Sequence, residues 1–230
     1  TYDSTAPTMA ITSSAVSSGA STNTAAIALT FTSSEATSNF ASGDITVSGC
    51  SLGSTFAASS STVYTATCTA SGDGAISVQV GADGFSDGVG NTNSAASNTY
   101  SWTYDGTAPT MTIASTTNGV SDGSKTNDGS IALTFTSSEA TTNFVAGDVS
   151  VSGGTLSSFS GSGTTYTATF TPTADGATTI NVGAAGFTDA VGNANSAANE
   201  FNWVYDSTAL TITITSSTVS SGATSNDATI

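Results

Sequence analysis

Ile27-Ala28-Leu29-Thr30-Phe31-Thr32-Ser33-Ser34-Glu35-Ala36-Thr37 decides the fold of this chain on two counts. Ile27, Leu29 and Phe31 alternate with Ala28, Thr30 and Thr32, the period-two pattern of a strand with one buried face. The same stretch returns without a change as Ile131 through Thr141. Outward from it, Gly90-Asn91-Thr92-Asn93-Ser94-Ala95-Ala96 returns with one change as Gly192 through Ala198. Thr1-Tyr2-Asp3-Ser4-Thr5-Ala6-Pro7-Thr8-Met9 returns twice, as Thr103 through Met111 and as Val204 through Ile212, at periods of 102 and 101 residues. A period near a hundred residues is too long for one turn of a solenoid and matches one independently folding domain.

The same alternation continues along each repeat, and helical spacing is absent. It predicts strands at Met9 and Ile11; at Ile27, Leu29 and Phe31; at Ile45 and Val47; briefly from Leu52 to Phe56; at Tyr64, Ala66 and Cys68; at Ile76, Val78 and Val80; and at Tyr100, Trp102 and Tyr104. Seven strands separated by Gly/Ser/Asn/Asp turns in a hundred residues are the signature of an all-β, Ig-like β-sandwich. The expected layout is tandem domains, beads on a string: residues 1–104, residues 105–205, and the start of a third over 206–230. Trp102 and Trp203 alternate with polar Ser101 and Asn202, which favours core packing over carbohydrate stacking.

Sixteen acidic residues against one Lys or Arg and no His give a net charge of −15. Nucleic-acid phosphates and anionic membrane surfaces are therefore repelled, and no apolar run is long enough for membrane insertion. Ser and Thr exceed a third of the chain. The regular apolar spacing nevertheless argues for folded domains rather than a disordered glycosylated stalk. O-linked sugar on outward positions such as Thr30 and Thr134 is compatible with this composition. No signal peptide opens the chain, which is read as an internal segment of a longer protein.

Cys50 and Cys68 belong to the first repeat only; their counterparts are Gly154 and Phe170. Joint presence in one copy and joint absence in the other suggest a disulfide, and hence an oxidising, extracellular compartment. A pair of free buried thiols is the competing reading. The pair argues against zinc, since two cysteines without histidine fall short of its usual ligand set.

Five acidic positions recur: Asp3 with Asp105, Glu35 with Glu139, Asp44 with Asp148, Asp73 with Asp175, and Asp87 with Asp189. Strands running up and down in order place all but Asp73 and Asp175 at the N-terminal pole of their repeat. Asp3 lies in the linker, Glu35 ends the second strand, Asp44 closes the following loop, and Asp87 opens the segment that carries Asn91. With Lys125 the sole basic residue, these carboxylates have hardly any salt-bridge partners. Converging carboxylates without cations suit Ca²⁺, which takes six to eight oxygen ligands from flexible loops. The candidate ligands are Asp3, Glu35, Asp44, Asp87 and Asn91, then Asp105, Glu139, Asp148, Asp189 and Asn193. The competing reading makes the same Asp and Asn residues turn formers, and Asp73 and Asp175, each before Gly, are read that way.

Together, the linker Tyr-Asp-x-Thr-Ala-Pro, the Phe-Thr-Ser-Ser-Glu-Ala-Thr segment, Gly-Asp-Ile/Val-x-Val-Ser-Gly and the late Asp-x-Val-Gly-Asn resemble the bacterial Ig-like domains of large surface adhesins. That resemblance covers the whole chain. It implies a Greek-key sandwich, secretion and a role as a stalk, filament or adhesin shaft. Some relatives bind Ca²⁺ at domain junctions, which here implies Asp3, Glu35 and Asp87. The third copy departs at Leu210, where Pro7 and Pro109 stand before.

The inventory lacks a nucleophile with a base and argues against an enzyme. Near-identical repeats favour a shaft or filament subunit, partnered by neighbouring repeats or other copies, over a ligand-binding adhesin module for carbohydrate or protein. The short third repeat is read as a window on a longer chain rather than a strand added to a neighbour.

Overall fold

The computed structural model describes residues 2–226 and residue 228. In the first repeat the alternating segments become β1 (Met9–Thr12), β2 (Ser21–Thr22), β3 (Ala26–Ser33), β4 (Ile45–Ser48), β5 (Cys50–Ser51), β6 (Ala57–Ala58), β7 (Val63–Ala70), β8 (Gly74–Val80) and β9 (Tyr100–Tyr104). They form two sheets, β1-β3-β7-β5 with β6 also on β7, and β2-β9-β8-β4. The second repeat follows the same plan with β10 (Met111–Ser115), β11 (Ser124–Thr126), β12 (Ile131–Thr141), β13 (Val149–Ser152), β14 (Gly154–Pro172), β15 (Gly176–Val182) and β16 (Phe201–Tyr205). Its sheets are β10-β12-β14 and β11-β16-β15-β13. Strand order departs from chain order in each sheet, as a Greek key requires. The result is two tandem Ig-like sandwiches.

Inward residues of the two sheets meet in one core per repeat. Ile27, Leu29 and Phe31 of β3 and Tyr64, Ala66 and Cys68 of β7 pack with Ile76, Val78 and Val80 of β8 and with Tyr100 and Trp102 of β9. Trp102 and Trp203 are 2% and 1% exposed, so neither is free to stack on a ligand. The indole N–H of Trp203 donates to Thr126 Oγ1 at 3.2 Å.

Cys50 and Cys68 are joined in a disulfide with Cα atoms 5.8 Å apart. It ties the short edge strand β5 to its neighbour β7. In the second repeat Phe170 fills the corresponding space, at 0% exposure. A Cβ added to Gly154 would lie 2.9 Å from Phe170 Cε1 and closer still to Cζ, so the ring needs the glycine.

The structure corrects the strand list in three places. Beyond the seven expected strands, β2 and β11 pair in parallel with β9 and β16; two and three residues are too few to show alternation. Leu52 to Phe56 is not a strand but the connection between β5 and β6, with Leu52 buried as an anchor. In the second repeat this region is extended from Gly154 to Pro172 and folds back on itself, Ser157 Oγ donating to the Thr169 carbonyl at 3.4 Å and Ser160 Oγ lying 3.2 Å from Thr167 Oγ1.

The start of the third repeat reads as alternating, yet residues 206–226 and 228 contain no strand. Leu210, Ile212 and Ile214 are exposed there, since the described residues of this segment form no sheet that would bury one of its faces. Asp227, Thr229 and Ile230 lie outside the described residues.

Candidate functional site

At the N-terminal pole of each repeat the loop after β3 or within late β12 meets the loop after β8 or β15. Tyr64 fixes the first loop from below, its hydroxyl donating to the Thr37 carbonyl at 2.8 Å. Tyr166 does the same to Thr141 at 2.8 Å. Thr37 and Thr141 form isolated bridges with Asp87 and Asp189. Asn39 then joins the loops side by side, accepting the Ser86 N–H at 3.0 Å and donating to Ser86 Oγ at 3.1 Å. Beneath them Phe40 packs edge-on to Phe85 with centroids 5.4 Å apart, and Phe144 to Phe187 at 5.1 Å. Such aromatic pairs contribute roughly 0.5–1.5 kcal/mol beyond their burial.

Asp87 organises its own loop. Its Oδ1 accepts the N–H groups of Val89, Gly90 and Asn91 at 2.9, 2.7 and 2.8 Å. Gly90, at φ +97°, supplies the left-handed residue that turns all three donors inward. Asn91 Nδ2 donates to Asp87 Oδ2 at 2.7 Å and to the Asp3 carbonyl at 3.3 Å, which draws the linker onto the loop. Asp189, Gly192, Asn193 and Asp105 repeat the arrangement.

The consequence is a carboxylate triad in each repeat. Oxygen atoms of Asp3, Glu35 and Asp87 lie within 4.8 Å of one another, and so do those of Asp105, Glu139 and Asp189. Burial, reinforced by the Asp3 and Asp87 charges, pushes the Glu35 carboxyl above its ordinary value. Glu139 is raised by burial and by Asp105, Asp189 and Asp73. Burial also pushes Asp87 upward, but the Asn91 side chain and the N–H groups of Asn91, Val89 and Gly90 outweigh it and hold the carboxyl down. Each triad therefore pairs a firmly ionised aspartate with a glutamate that resists ionisation. No basic side chain offsets them, because Lys125 lies 2.6 Å from Asp206 at the far end of the second repeat.

This donor set fits a hard cation. All the groups are oxygen donors, and among the described residues the Glu35 and Glu139 carboxylates accept no hydrogen bond. Asp44 and Asp148 are not in the triads. Their Oδ2 atoms accept the N–H of Ala41 and Val145 at 2.8 Å and close the 3-10 turns Ser42–Asp44 and Ala146–Asp148. Asn91 and Asn193 border the triads with their amide N–H groups turned towards Asp87 and Asp189.

Residues 3–104 and again 105–205 match the family described as the bacterial Ig-like domain. The chain belongs to that family. Among solved structures, FdeC, an Escherichia coli adhesin, is similar at 16% identity and a TM-score of 0.40, over 88% of this chain and 64% of that one. Yersinia pseudotuberculosis InvD is similar at 19% identity and 0.35, over 92% and 62%. Invasin, a bacterial integrin-binding protein, is similar at 18% identity and 0.41, over 75% and 36%. The chain spans less than two thirds of the length of each. No curated protein matches it. Among the described residues no helix is long and apolar enough to cross a membrane.

Within these bacterial Ig-like domains, two sets of site-supporting residues escape a linear reading. Tyr64, Tyr166, Asn39 and Asn143 look like ordinary strand and loop residues until the fold brings their partners to them. The turn residues Asp73 and Asp175 do more than shape a turn: their carboxylates accept hydrogen bonds from Gly106 and Thr107, and from Ser207 and Thr208, in the linkers that follow.

Proposed function

We propose that the chain is a non-catalytic segment of the shaft of a cell-surface adhesin or extracellular filament, with Ca²⁺ held at Asp3, Glu35 and Asp87 and at Asp105, Glu139 and Asp189 to stiffen its junctions. The supporting observation is the origin of each triad: one carboxylate comes from the linker and two from the loops of the repeat that follows. A cation shared among them ties the linker to the domain. Bound there, Ca²⁺ would supply the positive charge that the chain itself lacks at these poles and relieve the repulsion on Glu35 and Glu139. Asn91 and Asn193 hold the linker carbonyls of Asp3 and Asp105 beside the site, and Asp87 and Asp189 keep their loops closed around it. Family membership, the oxidised Cys50–Cys68 pair and the uncharged Ser/Thr surface support an extracellular, surface-associated setting.

Thermal unfolding of the 230-residue chain in Ca²⁺ and in EDTA tests this directly. The expected result is a melting temperature raised by Ca²⁺ in wild type and unmoved by it in a Glu35→Gln, Glu139→Gln double variant. Indifference of the wild type to Ca²⁺ would leave the triads as loop-shaping residues and remove the cation from the proposal.

A further inference from the structure

The linker between the repeats is held from both sides. From the first repeat, Asp73 on the turn between β7 and β8 accepts the Gly106 N–H at 2.7 Å through Oδ1 and the Thr107 hydroxyl through Oδ2. The Thr22 carbonyl accepts the Asp105 N–H at 3.1 Å, so the edge pairing of β2 with β9 runs on into the linker. From the second repeat, Asn193 donates to the Asp105 carbonyl and Ser196 N–H to the Pro109 carbonyl, both at 3.0 Å. Pro109 itself is buried. Only Ala108 lies between the last residue bonded to the first repeat and the first residue bonded only to the second. A flexible linker needs several unheld residues, and this one has a single such position.

The next linker is held the same way at its start. Asp175 Oδ1 accepts the Ser207 N–H at 2.9 Å and the Ser207 hydroxyl at 2.7 Å, and its Oδ2 accepts the Thr208 hydroxyl at 2.6 Å. Both acids accept their hydrogen bonds from the linker after their own repeat, at the pole opposite the triad of that repeat, and the Lys125 charge also acts on Asp175.

We propose that Asp73 and Asp175 are junction clasps: the turn carboxylate of each repeat grips the linker that follows, and at the 105–109 junction this makes the two repeats one rigid piece before any cation binds. The proposal deepens the shaft reading and rests on it, but its working parts are hydrogen bonds, so the test is run in EDTA. There, backbone amide relaxation of the full chain is expected to show the two repeats tumbling as one body. Asp73→Ala should make them tumble separately and speed exchange of the Gly106 amide by about tenfold or more, the usual effect of removing a hydrogen bond to a charged group. Asp175→Ala should speed exchange at Ser207 and leave the 105–109 junction unchanged. Thr107→Val, which leaves the turn intact, should produce a smaller change in the same direction as Asp73→Ala and covers the case in which that variant fails to fold. Independent tumbling in wild type, or unchanged tumbling in both Asp73→Ala and Thr107→Val, overturns the clasp. Failure of Ca²⁺ to raise the melting temperature in the same preparation overturns the cation site and leaves the clasp result as it stands.

Discussion

A glutamate between two aspartates, with no cation nearby, makes the pH response of this protein a diagnostic of its site. Glu35 and Glu139 have folded values above the ordinary 4.5, so the folded state takes up their protons more readily than the unfolded state does. Their ionisation opposes folding at neutral pH, and that opposition disappears as pH falls through their raised values. In EDTA, the melting temperature is therefore expected to rise between neutral pH and the region just above 4.5, and the rise should vanish in the double Gln variant. A flat profile in EDTA would show that the triads are already neutralised. Asp175 has the opposite sign: the Thr208 and Ser207 hydroxyls and the Ser207 N–H hold it at about 2, below the ordinary 3.8. Its contribution is present in full above 3.8 and lost as pH falls through about 2. The Ser207 amide resonance should report that titration near pH 2, and a midpoint near 3.8 would remove the hydrogen bonds from the account. The acids themselves were legible by their recurrence. Their division into triad, turn cap and clasp was not, because Asp44, Asp73 and Asp87 look alike until their donors are known.

At the scale of the strand, the two repeats solve one packing problem in two ways. The first uses Cys50–Cys68, the second Phe170 over Gly154. Reduction is expected to destabilise the first repeat by about 3 kcal/mol, as for a loop of this size, and to leave the second where it was. Denaturant unfolding followed in both repeats by NMR checks this; equal shifts in the two would mean that the repeats do not unfold independently. The step from β4 to β5 is the other element-scale constraint. Gly49 sits at φ +76° with the Ala75 carbonyl oxygen 2.5 Å from where a Cβ would go, and Gly153 repeats this at +74° and 2.7 Å from the Ala177 oxygen. Gly49→Ala is expected to cost more than 1–2 kcal/mol, since it adds a close contact to left-handed strain; an unchanged unfolding midpoint would contradict it. This is the physical content of the last glycine in Gly-Asp-Ile/Val-x-Val-Ser-Gly. Alternation alone revealed the long strands, but β2, β5 and β6, at two residues each, are defined only by the partners they pair with.

Over the whole molecule, charge is nearly kept out of the sheets: the strands of the first repeat carry no charged side chain, and those of the second carry only Lys125 on β11 and Glu139 late in β12. A chain at −15 repels itself, and the repulsion is concentrated at the poles where repeats join. In EDTA, raising NaCl is expected to increase the melting temperature as the triads are screened, with a smaller increase once Ca²⁺ is present. Equal salt responses in the two conditions would place the repulsion elsewhere.

The sequence by itself determined the repeat, the sandwich class and the buried face of each long strand, because periodicity and internal comparison are properties of a line; it suggested the pairing of Cys50 with Cys68, which the structure decided against two free thiols. It also brought Asp3, Glu35 and Asp87 to one pole, since strands that run up and down alternate their ends. Only the tertiary structure decided that Asp44 closes a turn, that Asp87 is tied up by three backbone N–H groups, and that Asp73 reaches the next linker. Those distinctions depend on which donors lie within about 3 Å of a carboxylate, and such distances are set by folding rather than by spacing along the chain.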